Sequence, residues 1–236
     1  MTYNVHGCIG SDGRLDVDRV ARVIGDQRAD LVALQEVDVG LQRSGGVDQS
    51  QRLAELLSMH VHFTCASRRG GGEFGIALLA SGKISVKHEG CLPTYRDEAR
   101  AAQWACVRTQ GVDVDVLHTH LSVRYRDRKA QLEALLSDGW LKKRLSSPHV
   151  IVCGDLNAMP FSGIYRTLSR KLRDVQRTRR GRNYATWPSG RPFARIDHIF
   201  VGHGFGVERY WVPRSPLTAA ASDHLPVVAD LEVRTQ

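Results

Sequence analysis

The sequence predicts an α/β fold in which two mixed β-sheets pack face to face with helices on the outside. Three observations predict it. Amphipathic helical patterns alternate with strand patterns along the chain. Several strand patterns nevertheless follow one another with only a turn between them, which an all-parallel sheet with helical crossovers would not show. Some apolar runs are continuous, as in strands covered on both faces. The pattern leaves the strand order open.

The elements follow in order. Residues 4–6 form a short extended opening. A helix is expected over 16–27, where Val17, Val20, Ala21 and Ile24 recur at the spacing of one buried face. Leu31-Val32-Ala33-Leu34 is a continuous apolar strand, and a second helix fits 49–59 with Leu53, Leu56 and Leu57 on one side. After Gly70-Gly71-Gly72 come strands over 75–80, 84–88, 103–109 and 112–121. A helix over 126–136, a strand over 150–153 and a helix over 162–172 follow, then strands over 196–201, 206–212 and 225–233. Val112, Val114 and Val116 alternate on one face, and His118 and His120 keep their parity. Each histidine reads either as a cap on the core or as part of a site at the strand's carboxyl end.

The chain's 236 residues are enough for one large core, so a single domain over 1–236 is expected. Five cysteines without a CxxC pair argue against a disulfide scaffold or a cysteine-built zinc site, and point to a reducing, cytoplasmic setting. No apolar run of about eighteen residues is present, so no transmembrane helix is expected. The opening residues carry neither the basic nor the apolar part of a signal peptide. A net charge of +8 favours polyanionic partners, with nucleic acid first and anionic lipid second. Nothing in the sequence demands a dimer, and a monomer is expected.

Polar residues recur where apolar strands end or begin: Asn4 and His6, Glu36, His120, Asp155 and Asn157, Asp197 and His198, Asp223 and His224. Any one of these reads as a turn residue or loop cap; their convergence at six strand ends points to a site. Hard oxygen donors such as Glu36 with an Asp or Asn suit Mg²⁺, with Mn²⁺ as the alternative. A carboxylate can orient and deprotonate water, and a histidine with a carboxylate partner can stabilise a transition state or protonate a leaving group. On an extended segment Asp155 and Asn157 would reach the same side. Asp155 and His224 are expected at a rim, outside the core. No GxSxG, HExxH, P-loop or GxGxxG occurs, which removes the commonest competing enzyme classes.

The segments Tyr3-Asn4-Val5-His6-Gly7, Leu34-Gln35-Glu36-Val37-Asp38, Thr119-His120-Leu121, Gly154-Asp155-Leu156-Asn157, Arg195-Ile196-Asp197-His198-Ile199 and Ser222-Asp223-His224-Leu225-Pro226 resemble the endonuclease/exonuclease/phosphatase superfamily. They come in the family's order and cover residues 3–226. The resemblance implies a four-layer αββα sandwich with the site at one edge. It implies Glu36 as principal Mg²⁺ ligand, with Asn4 and Asp223 completing the shell. It makes Asp155 the group that activates water, Asn157 a holder of that water or the phosphate, and His120 a phosphate ligand. His224, paired with Asp197, would stabilise the pentavalent transition state. The family's first strand usually begins several residues before its asparagine; here only Met1, Thr2 and Tyr3 precede it, which leaves an upstream start open and weakens the cytoplasmic expectation.

The abasic-site endonuclease branch usually reads NVNG, QETK and a WRxDY-like segment. This chain reads NVHG, QEVD and RIDHI, and so resembles the branch of tyrosyl-DNA phosphodiesterases, neutral sphingomyelinases and deadenylases, along with small bacterial members. Residues 170–182 hold Arg170, Lys171, Arg173, Arg177, Arg179, Arg180 and Arg182, with Tyr184 and Trp187 close behind. Such a segment suits a phosphate backbone with stacked bases, an anionic membrane, or a merely solvated loop. Arg124, just after His120, and Arg43, after Glu36, are candidate substrate ligands. The leading expectation is a nuclease or DNA-end-processing phosphodiesterase, and the alternative is a phospholipid or sphingolipid phosphodiesterase or phosphatase. A non-catalytic binding module would need a broken site, whereas every expected position is filled.

Overall fold

A computed structural model of the protein describes residues 1–140, 144–178 and 184–234, with 177 and 178 described by their backbone alone. The elements are β1 (Thr2–Asn4), α1 (Val17–Gly25), β2 (Leu31–Val39), α2 (Gln49–Leu57), β3 (His60–Arg69), β4 (Gly72–Ala80), β5 (Ile84–Cys91), β6 (Ala101–Thr109) and β7 (Val112–His120). They continue with α3 (Tyr125–Leu135), β8 (Val150–Asp155), α4 (Gly163–Ser169), β9 (Arg173–Asp174), β10 (Asp197–Val201), β11 (Phe205–Trp211), α5 (Pro216–Ala221) and β12 (Val228–Val233). One sheet has the order β1-β2-β4-β3 and the other β5-β6-β7-β8-β10-β9. Pairs β1/β2 and β7/β8 are parallel and the remaining pairs antiparallel, so both sheets are mixed. The ribbon β11–β12 is tied to β1 by reciprocal backbone bonds between Thr2 and Val227, each 2.9 Å.

Strand alternation assigns the layers. In β2, Val32 and Leu34 face Val20, Val23 and Ile24 of α1 and Leu53 of α2, while Leu31 and Ala33 face the other sheet. In β8, Val150 and Val152 meet α3 and α4, while Ile151 and Cys153 turn inward. Both strands are covered on both sides, which is why their sequences read as unbroken apolar runs. The result is helix, sheet, sheet, helix: the two-sheet architecture expected from the sequence.

The helices start where their caps are. Asp16 accepts from Arg19 N at 2.7 Å and Asp48 from Gln51 N at 2.9 Å. Helix α1 stops at Gly25, short of the expected 27, and Arg28 turns left-handed at φ +50°. Helix α4 stops at Ser169 rather than 172, because the chain turns there into β9. Three elements have no counterpart in the sequence reading, the two-residue β9 among them. Strand β3 pairs only with β4 within its sheet, and its residues are mostly half-buried, so no clean alternation marks it. Helix α5 is too short to show a period, although Ser215, Pro216 and Thr218 form a capping box with proline in the first turn.

His118 lies between the sheets, and Gln35 Nε2 donates to its Nε2 at 2.7 Å. Its Nδ1 has no partner, and burial pushes its pKa down to about 3. It is therefore a neutral residue of the core, the capping alternative of the two read from the sequence.

That burial has a pH consequence. Above pH ~6.5, His118 is neutral in both the folded and unfolded chain and does not affect the balance. As pH falls from there toward about 3, only the unfolded chain takes up the proton, so stability is lost. The loss is roughly 2 kcal/mol at pH ~5. In urea titrations between pH ~7 and ~4.5, His118→Gln is expected to show a shallower fall than the parent, by about one proton. Identical slopes would refute the assignment.

Candidate active site

The carboxyl ends of β1, β2, β7 and β8, the start of β10 and the turn at 222–224 meet at one edge of the sandwich. Local backbone geometry aims the side chains there. Glu36 lies inside β2 at a register shift between Gln35 and Val37, with φ +57°. The bulge breaks the alternation that sends Gln35 into the core, and Asn4 Nδ2 donates to Glu36 Oε1 at 3.0 Å. Gly154 has φ +142°, and a Cβ there would lie 1.8 Å from Thr119 O. Only glycine lets β8 approach β7 this closely, which seats Asp155 beside His120. The extended geometry expected of Asn157 is not found: it reaches the site from a left-handed turn at φ +47°. His6 likewise lies beyond β1, exposed, in a short 3₁₀ turn.

Asp155 is the hub. Its Oδ1 accepts from Asn157 N at 2.9 Å, and its Oδ2 accepts from Asn4 Nδ2 at 3.1 Å. The same Oδ2 lies 3.4 Å from His120 Nε2 and 3.7 Å from His224 Nε2. Burial and the nearby Asp197 raise its pKa well above the carboxylate range, against the opposing pull of His224. The rim position expected for Asp155 and His224 is corrected: both are buried, at 1% and 5% exposure, because the surrounding loops close over the strand ends.

His224 Nδ1 donates to Asp197 Oδ2 at 2.9 Å, and the buried Thr186 hydroxyl donates to the same oxygen. Burial disfavours the imidazolium, but Asp197, Asp155 and Asp223 outweigh it and lift the His224 pKa to about 10. His120 goes the other way: burial, then Arg100 and His224, push its pKa well below the usual value. The edge thus pairs a charged histidine with a neutral one. Asn157 Nδ2 donates to Leu121 O at 2.9 Å and lies 3.3 Å from His120 Nε2.

Two groupings suit a metal ion. Atoms of Asp155, Asp197 and His224 lie within 4.8 Å of one another. There, however, the His224 ring proton and the Thr186 hydroxyl both engage Asp197 Oδ2, leaving Oδ1 buried without a partner among the described residues, and a protonated imidazole repels a cation. Glu36 is different: half-buried, it has Asn4 as its one hydrogen-bond donor among the described residues. Ser222 donates to Asn4 O at 2.8 Å, and its hydroxyl lies 3.4 Å from Asp223 Oδ1. The carboxylate oxygens of Glu36 and Asp223 suit a hard divalent ion, whereas Asn4, expected as a further ligand, turns its amide nitrogen to Glu36 while its oxygen accepts from His6 N at 3.1 Å.

Arg43, expected as a substrate ligand, is half exposed and paired. Its Nε and Nη2 each donate at 2.8 Å to Asp38, whose carboxylate is fully buried. Arg124 stands exposed at the start of α3. In the basic segment Arg170 and Lys171 are exposed, whereas Arg173 donates to Phe205 O. Arg179, Arg180 and Arg182, and the side chain of Arg177, lie outside the described residues. Tyr184 packs on Tyr210 with ring centroids 4.3 Å apart, and Trp187 Nε1 donates to Asp223 Oδ2 at 3.3 Å, so neither ring is a free stacking platform. His198 is buried and donates to Ala158 O at 2.7 Å, a structural role. Sequence reasoning missed Thr186, and it saw Ser222 only as part of a motif. A cavity of about 320 Å³ lies at the far end of the sandwich among Met1, Leu31, Val114, Ile151, Phe205 and Leu231, remote from these groups.

The Endonuclease/Exonuclease/phosphatase family model matches residues 1–224. The fold is similar to an endonuclease/exonuclease/phosphatase from Beutenbergia cavernae DSM 12333, with TM-score 0.75 and 26% identity over 98% of this chain and 70% of that one. It is similar to one from Bacteroides vulgatus, with TM-score 0.78 and 23% identity over 99% and 97%. It is also similar to the mannosyl-6-phosphatase Bt3783 of Bacteroides thetaiotaomicron VPI-5482, with TM-score 0.74 and 20% identity over 98% of both chains.

Removing the Arg43 guanidinium strands a buried carboxylate. Arg43→Ala is expected to cost about 2 kcal/mol, less than for a fully buried pair because half the arginine is in water. Arg43→Ala combined with Asp38→Asn is expected to recover part of that loss in denaturant titrations. A stability unchanged by Arg43→Ala would show the pair to be dispensable.

Proposed function

Because the chain belongs to the endonuclease/exonuclease/phosphatase family, a family of phosphoester hydrolases, we propose that it is a Mg²⁺-dependent phosphodiesterase that directs water onto phosphorus in line with the leaving oxygen. The observation that carries this reading is the arrangement around Asp155: one buried carboxylate facing two histidines, one charged and one neutral, and joined through Asn4 to Glu36.

Glu36 and Asp223 would hold the ion, with Asn4 positioning Glu36 and with Mn²⁺ as the alternative, and when bound the ion polarises a phosphoryl oxygen and neutralises charge on the leaving group. Asp155 orients the attacking water and takes its proton. Its raised pKa suits that task, since a base works best when its pKa lies near the working pH. Asp197 fixes the His224 ring, with Nδ1–H committed and Nε2–H turned toward Asp155 and the reacting phosphate. With a pKa of about 10, His224 carries its positive charge at neutral pH, where it offsets charge building on the pentavalent phosphorus. His120, neutral, and Asn157 hold the phosphate and the water without adding charge.

Two substrates suit this centre. A nucleic-acid strand is supported by the net charge of +8 and by exposed Arg170 and Lys171. An anionic lipid headgroup is supported by the exposed side chains around the same edge.

Hydrolysis is tested with Mg²⁺, Mn²⁺ or EDTA on plasmid and single-stranded DNA, RNA, a 5′-tyrosyl oligonucleotide, and sphingomyelin and cardiolipin vesicles. Turnover is expected to stop in EDTA and return with Mg²⁺. Asp155→Asn and His224→Gln are each expected to lower kcat by about 10³-fold while the protein still unfolds cooperatively. Turnover that survives EDTA or either substitution would sink the mechanism.

A further inference from the structure

Among the described residues eight large apolar side chains stand exposed, and seven of them lie on the loops at the catalytic edge or, for Tyr125, at the first residue of α3. Leu15 follows β1 and Val47 follows β2. Tyr95 lies between β5 and β6, Val123 follows β7, and Tyr125 opens α3. Phe161 follows β8 and Phe193 precedes β10. Only Leu56, on α2, lies elsewhere. The exposure is large: 74% for Tyr95, 69% for Phe161 and 70% for Phe193. Isolated surface apolar residues need no explanation, but their concentration on one edge does.

The loops that carry them touch one another. Asp97 accepts from the Ser122 hydroxyl and from Val123 N, which holds the Tyr95 loop against the 122–125 turn. Phe193 rests on Trp187, with centroids 5.7 Å apart, and Trp187 in turn donates to Asp223. Cations are interleaved with the apolar groups: Arg96 beside Tyr95, Arg124 and Arg126 around Tyr125, and Arg191 near Phe193. All four are exposed, and none has an ion-pair partner among the described residues.

A nucleic-acid strand would use the cations and stack on the rings, but Leu15, Val47 and Val123 have no π face to offer it. The boundary of an anionic bilayer uses every member of the set, with rings and aliphatic groups at the acyl boundary and arginines at the headgroup phosphates. We propose that this rim docks the protein on an anionic phospholipid surface and presents headgroup phosphoesters to the site. The proposal rests on the reading of this edge as the catalytic mouth.

The test is flotation with phosphatidylcholine vesicles containing about one-third phosphatidylglycerol, in EDTA, so that binding is read without turnover. The protein is expected to float with these vesicles and to bind pure phosphatidylcholine at least about tenfold more weakly. The triple variant Tyr95→Ser, Phe161→Ser, Phe193→Ser is expected to melt like the parent and to lose at least about tenfold in vesicle affinity. No flotation, or equal binding by the variant, overturns the proposal. A variant that loses affinity for a single-stranded oligonucleotide, in a protein that ignores vesicles, overturns it and assigns the rim to nucleic acid. A protein that floats but hydrolyses no phosphoester upholds the docking and sinks the catalytic reading. Hydrolysis of soluble phosphodiesters without flotation sinks the docking alone.

Discussion

The side-chain amide of Asn4 joins the two sheets at the catalytic edge. It donates to Glu36 on the first sheet and to Asp155 on the second, at 3.0 and 3.1 Å. Its carbonyl oxygen accepts from His6 N, so the amide cannot rotate freely, and its backbone oxygen takes the Ser222 hydroxyl. One residue therefore sets the distance between the candidate metal-binding carboxylate and the candidate base. The three-residue strand that carries it is pinned on both sides, by β2 and by Val227, which makes it rigid despite its length. Positions that must agree to a fraction of an ångström are held by sheet hydrogen bonds rather than by a flexible loop.

Electrostatics at this edge are balanced locally. Asp155 and Asp197 are both buried, and neighbouring buried carboxylates repel. His224 stands between them and carries the compensating charge, while His120 stays neutral because burial, and after it the positive charges of Arg100 and His224, disfavour its protonation. The backbone contributes as well. Glu36 and Asn157 sit in left-handed conformations that side chains other than glycine seldom adopt, and Gly154 makes an approach no side chain permits. Strain of this kind persists only where the surrounding structure holds it in place.

Much of this was legible in the sequence, for physical reasons. Polar residues that interrupt apolar strands always at the same end cannot be buried singly without partners, so their convergence could be read before any contact was known. Asn4, Glu36, His120, Asp155, Asn157, Asp197, Asp223 and His224 do come together at one edge. Strand β3 was not legible, because a strand at the edge of its sheet with half-exposed faces carries no alternation. The Arg43–Asp38 pair was not legible, because nothing in the sequence says that Asp38 is buried and needs a cation. Thr186 was invisible, since a lone threonine in a loop has no pattern that announces a partner at Asp197. The apolar rim escaped notice because its members are scattered along the sequence and meet only through the topology.

The hydrogen bond from Ser222 to Asn4 spans 218 positions. It has a consequence for synthesis on the ribosome. Chains emerge at roughly 5–20 residues per second, so for many seconds the first strand exists without the turn that completes its site. Asn4, Glu36 and His120 leave the ribosome long before His224, and until His224 arrives Asp155 has no imidazolium to face. The order of residues along the chain acts as a delay line. The hydrogen bonds that complete this edge form only when the turn at 222–224 and the last strand dock.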